Sequence, residues 1–104
     1  MDAAPRLSRT VCICNARGLH ARAAARFVKT AESFDCRVQV DGGGTVVDGH
    51  SIMGLLLLAA GPGTALTLIA EGNDAEAALE ALTRLVDDGF DEDRAYGQGG
   101  AGDR

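Results

Sequence analysis

Two stretches of this chain carry apolar residues at helical spacing, and each lies behind a stretch in which they alternate. In residues 21–33, Ala24, Phe27, Val28 and Ala31 recur at three- and four-residue intervals, which puts them on one face of a helix. In the helix read to about Val86, introduced by Asn73-Asp74 as the capping pair, Ala78, Leu79, Leu82, Leu85 and Val86 do the same. Residues 6–14, RLSRTVCIC, alternate Val11 and Ile13 with Cys12 and Cys14, and 64–72, TALTLIAEG, alternate through Leu66 and Leu68; both read as half-buried strands. CRVQV (36–40) and TVVD (45–48) flank Asp41-Gly-Gly-Gly44 and read as a hairpin. Ser51 caps a short helix to about Leu58, which stops at AAGPG. The order β-α-β-β-α-β-α, with one-sided helices and half-apolar strands, predicts two layers: helices on one face of a sheet and water on the other. The first six elements suit ferredoxin-like folds as well, including RNA-binding modules.

Composition narrows the function. At 104 residues the chain is one domain with a modest core. Ten basic against 15 acidic residues give a net charge of −5, which argues against binding held by phosphate neutralisation. An RNA-binding sheet also needs strand aromatics for base stacking, whereas Phe27 and Phe34 lie in or beside the first helix, and Phe90 and Tyr96 in what reads as a tail. The charge is uneven: residues 1–41 hold seven basic residues against four acidic, and residues 74–104 hold three against nine. The apolar run IMGLLLLAA is too short to span a bilayer, and MDAAPRLSRT lacks the apolar core of a signal peptide. Three cysteines, two of them as Cys12-Ile-Cys14, read as reduced thiols of a cytoplasmic protein, with Cys12 and Cys14 on the open face of the sheet. The Gly42–Gly44 run lacks the lysine and helix of a phosphate loop and reads as a turn. DDGFDED reads as an acidic solubilising segment, and beyond Asp93 the Gly-rich residues 94–104 are expected to be disordered.

The chemistry gathers at His20, in the run Gly18-Leu19-His20-Ala21-Arg22. Gly18 permits tight backbone geometry, and the unbonded N–H groups of the first helical turn begin just after the histidine. The positive helix end, Arg17 and Arg22 disfavour an imidazolium, and a neutral imidazole is a nucleophile. Once the ring carries a phosphoryl group, the same helix end and arginines bind the new negative charge. Neither Cys nor an acidic residue stands near His20 at ligand spacing, so no metal and no cofactor are expected.

With a second signature at Ser51-Ile52-Met53-Gly54, the chain resembles HPr, the histidine-containing phosphocarrier family of the phosphoenolpyruvate-dependent phosphotransferase system. The resemblance runs from about residue 8 to 88 and also covers Phe27-Val28 and the EGNDAEAALEAL helix. Ala23-Ala24 and the terminal GFDED (89–93) look more like the nitrogen-related branch, often called NPr. The resemblance implies an α+β open-faced β-sandwich, three helices on a four-stranded antiparallel sheet, with an HPr-like domain over 1–93. It implies that His20 takes a phosphoryl group on its δ nitrogen from phosphorylated enzyme I and passes it to a histidine of an enzyme IIA-type protein, without turnover of its own. Arg22 would bind the phosphoryl oxygens. Ser51 matches a regulatory serine phosphorylated by a dedicated kinase, and Ile52, Met53 and Leu56, flanked by Ala25 and Lys29, match the apolar docking patch of a monomer. Two positions depart from the pattern: Ala23 stands where many members have proline, and His50 where the sugar-transport branch often has lysine. The other function class these features allow is a regulatory binding module whose phosphorylation at His20 or Ser51 is read by a target enzyme or kinase.

Overall fold

The computed structural model describes residues 6–92; the expected 94–104 tail, and the Asp93 end of the expected domain, lie outside the described residues. The elements follow the expected order: β1 (Arg6–Cys12), α1 (Ala21–Glu32), β2 (Arg37–Gly42), β3 (Thr45–Asp48), α2 (Ile52–Leu57), β4 (Ala65–Glu71) and α3 (Ala75–Asp87), then a short turn at Gly89–Asp91. The strands form one antiparallel sheet in the order β1-β4-β2-β3. The β2–β3 turn is Gly43-Gly44, both at positive φ (62° and 96°), the geometry that lets a two-residue loop match the strand twist.

Period-two alternation delivers Val38 and Val40 of β2, and Leu66, Leu68 and Ala70 of β4, to the helix-covered face. Ala24, Phe27, Val28 and Ala31 of α1, with Leu79, Leu82 and Val86 of α3, close over them. A single layer of alanine and leucine is thin, and Phe27 supplies much of its bulk.

Three expectations are corrected. Asp74 is the N-cap of α3 by position but makes no side-chain cap bond. Its Oδ2 instead accepts the N–H of Asp35 at 2.7 Å, tying the α1–β2 loop to the start of α3, while Asn73 donates to Asp35 Oδ2 at 3.0 Å. Cys14 does not share the open face with the exposed Cys12: the strand ends at Cys12, and the Cys14 thiol lies 3.4 Å from the Val86 carbonyl oxygen at the end of α3. Most consequentially, Phe90 is not in a solvated tail. It is fully buried in the core, and the acidic segment around it folds back over the start of α1.

Candidate functional site

The loop from β1 to α1 is built to aim one side chain. Ile13 donates its N–H to Thr64 O at 2.9 Å, and Leu19 donates to Ala60 O at 2.8 Å, so the loop is stitched to the α2–β4 connection on both sides of the turn. Gly18 makes that approach possible: its φ is +67°, and a Cβ there would sit 2.4 Å from Ala60 O. Asn15, fully buried, bridges the turn by donating to Gly18 O at 2.8 Å. Its second amide hydrogen goes to Glu92 Oε1 at 3.0 Å; since both neighbours are acceptors, the amide nitrogen must face them.

His20 follows as the N-cap of α1 in extended conformation (φ −83°, ψ −178°). Its main-chain carbonyl accepts from Ala24 N, and its ring Nδ1 accepts the N–H of Arg22 at 3.3 Å. Nδ1 therefore carries a lone pair, and the ring proton resides on Nε2. That proton is donated to Glu92 Oε2 at 2.6 Å. The carboxylate fits the same assignment. Burial pushes the Glu92 carboxyl up, but the hydrogen bonds from Asn15 and His20, with the charge of Arg17, outweigh it and hold the group below its ordinary value. An ionised carboxylate only accepts, so Nε2 must donate.

The nucleophilic edge of the ring thus faces the first turn of α1, where no acidic side chain intrudes. Beside it an open cleft of about 370 Å³ is lined by Ala16, Arg17, Arg22 and Glu92. Helix N–H groups at Nδ1 and two guanidiniums lining the adjoining cleft suit a dianionic group made and broken at that nitrogen. Among the described residues, no group of three or more His, Cys, Asp or Glu is placed to hold a metal ion.

The other expected residues divide into two groups. Arg22, Ala25 and Lys29 are all exposed on α1. Ser51 is the N-cap of α2, its Oγ accepting the N–H of Gly54 at 3.0 Å, and Ile52 and Met53 are exposed beyond it, Met53 to 72%. Leu56 is half-buried and packs against the core, whereas Leu57, which the sequence did not single out, is 76% exposed. Helix α2 is six residues long, too short for periodicity to fix which of its three leucines faces out.

Sequence reasoning missed Glu92 and Asn15. The local field is consequently not the all-positive one inferred from Arg17 and Arg22: a carboxylate touches the ring. In the chain, Glu92 is one acid among several in DDGFDED, 72 positions from His20. The only available signal was Phe90, a large apolar residue out of place in a solvated run.

Comparison with known proteins agrees with this geometry. A family model described as the PTS HPr component phosphorylation site matches residues 7–88. Phosphocarrier protein NPr of Shewanella violacea is 45% identical over 87 residues, covering 84% of this chain and 96% of that one. Phosphocarrier protein HPr of Pseudomonas aeruginosa is 48% identical over 83 residues, covering 79% and 92%. Among solved structures, HPr-C-His from Thermoanaerobacter tengcongensis superposes with a TM-score of 0.80 at 40% identity, covering 84% of this chain and 98% of that one. The expected open-faced sandwich is the fold found, and the chain belongs to the HPr family of phosphotransferase-system phosphocarriers.

Proposed function

We propose that His20 is the residue that carries the phosphoryl group, taking it on Nδ1 from phosphorylated enzyme I and passing it to a histidine of an enzyme IIA-type protein. The observation that carries this reading is the commitment of the two ring nitrogens. Nε2 is spent on Glu92, and Nδ1 presents its lone pair at the mouth of α1. Arg22 supplies a charge-assisted hydrogen bond to the transferring oxygens, with the first-turn N–H groups behind it. Both partners dock on the exposed face formed by Ala25 and Lys29 of α1 and Ile52, Met53 and the edge of Leu56 on α2, packed beside it. A flexible, polarisable Met53 suits a surface that must fit two partners in turn. The carrier works in the cytoplasm as a monomer; no helix of the described residues is long and apolar enough to cross a membrane.

Identity to NPr and to HPr relatives is similar, so the nitrogen-related assignment rests on Ala23-Ala24 and the GFDED end. A kinase acting on Ser51 would place charge among the exposed apolar residues that partners must desolvate, which favours a regulatory use of the same surface. The test is incubation with enzyme I and phosphoenolpyruvate. One acid-labile, base-stable phosphoryl group per chain is expected on the wild type and none on His20→Ala. Undiminished label on His20→Ala would end the assignment.

A further inference from the structure

Residues 89–92 form a strap across α1, held in a conformation that local preference disfavours. Gly89, Phe90 and Asp91 are consecutive left-handed residues with φ of 66°, 56° and 62°, and two of them bear side chains that disfavour it. The conformation is held by the burial of Phe90, by the Arg26 guanidinium donating to the Phe90 carbonyl, and by Glu92 N–H donating to Gly89 O at 2.9 Å. Its outcome is to fix both carboxylate oxygens of Glu92, one on Asn15 and one on His20 Nε2.

We propose that Glu92 is a positioning residue for the donor half of the carrier cycle, holding a proton on Nε2 while Nδ1 bears the phosphoryl group. This rests on the reading that His20 is the phosphorylated residue. When enzyme I loads the ring, the Nδ1 lone pair forms the N–P bond, the N–P bond to the enzyme I histidine breaks, and the Nε2 proton stays; the ring becomes a phosphoimidazolium. On discharge, the acceptor nitrogen attacks phosphorus, and the electron pair of the breaking N–P bond returns to Nδ1. The leaving group is then neutral imidazole, still protonated on Nε2 and ready for the next cycle. Had Nε2 lost its proton first, the same cleavage would expel an imidazolate, a far poorer leaving group.

The charged groups about the ring are Glu92 from the strap, in contact with it, Arg17 from the β1–α1 loop and Arg22 from α1, which line a cleft together with Glu92, and Arg26 from α1, beside Glu92 Oε2. The guanidiniums oppose a charged ring and hold the phosphoryl group. Glu92 alone among them favours the ring charge, and it does so at hydrogen-bond contact, 2.6 Å, where a charge acts most strongly. Arg26, 3.9 Å from the same Oε2, is placed to steady the carboxylate.

The experiment follows phosphate loss from phosphorylated wild type, Glu92→Gln and Asp91→Asn between pH 5 and 10. Gln retains an oxygen for the Nε2 proton but removes the charge; Asp91 is exposed and removes an equal charge next door. The fast limb should end about one pH unit or more lower in Glu92→Gln, making it about tenfold slower at pH values between the two midpoints. Asp91→Asn should follow the wild type. Ring 15N shifts of the phosphorylated wild type read the same proton without a substitution, and should show Nε2 protonated throughout its fast limb. Superimposed profiles, an equal shift in Asp91→Asn, or a deprotonated Nε2 during fast release would overturn the proposal. Absence of label on His20 in the wild type would instead remove the reading beneath it.

Discussion

Helices α1 and α2 begin in the same way and present different chemistry. Each is preceded by an extended residue whose side chain accepts an N–H of the first turn: His20 Nδ1 from Arg22 at 3.3 Å, Ser51 Oγ from Gly54 at 3.0 Å. Neither first turn contains an acidic residue. Each mouth also has a histidine, since His50 immediately precedes Ser51. The surroundings differ. At α1 the cap is an imidazole in contact with Glu92, with Arg17 and Arg22 lining the cleft beside it; at α2 the cap is a hydroxyl beside Ile52 and Met53, and the His50 main-chain N–H donates to Asp48 Oδ1 at 2.8 Å. A helix mouth provides donors, and on the function proposed above the neighbouring side chains decide whether those donors serve reaction or docking.

The contrast can be broken most severely at Gly18. Alanine there must hold a left-handed backbone at a cost of about 1–3 kcal/mol, and its Cβ would collide with Ala60 O. Thermal unfolding should show Tm falling by about 10 °C or more, with phosphorylation impaired in the remaining folded protein. Within the first turn of α2 the matching change is mild: Gly54 would admit a Cβ at ordinary contact distance, 3.4 Å.

Next in size is Arg22→Ala. The nucleophile and the helix N–H groups stay, and a charge-assisted bond worth about 1.5–3 kcal/mol is lost, so single-turnover transfer should slow by about 10–100-fold. Ser51→Ala should do the reverse. Losing the α2 cap costs about 1 kcal/mol and lowers Tm by a few degrees, while His20 still becomes phosphorylated. The smallest effect concerns pH. The folded-state pKa of Glu92 is depressed, so the stability it contributes is fully present above the ordinary glutamate value of about 4.3 and is lost as pH falls through the folded value. The Tm difference between wild type and Glu92→Gln should accordingly be constant at neutral pH and shrink below about pH 4.

Most of the sheet and helix order was legible because periodicity reports burial directly: Val38 and Val40, Leu66 and Leu68, Phe27 and Val28 all face the core as their spacing requires. The placing of His20 at the mouth of α1 and of Arg22 in its first turn was legible because it follows from neighbours within a few residues. Glu92, Asn15 and Cys14 were not, since each acquires its meaning from a partner brought close only by the closed fold. Two non-glycine residues in the left-handed region, Phe90 and Asp91, run against local preference, and nothing short of the buried Phe90 ring explains them. The choice between Leu56 and Leu57 as the exposed residue turned on the phase of one short helix.

The distinction between the two mouths comes to a single atom. Protein labelled with 15N in its histidine rings, phosphorylated by enzyme I and phosphoenolpyruvate, shows by coupling to 31P which nitrogen holds the phosphorus. One signal is expected, on Nδ1 of His20, with both nitrogens of His50 unchanged. Phosphorus on Nε2 of His20 would mean that the Glu92 contact does not set the nucleophile, and phosphorus on His50 would place the reactive mouth at α2.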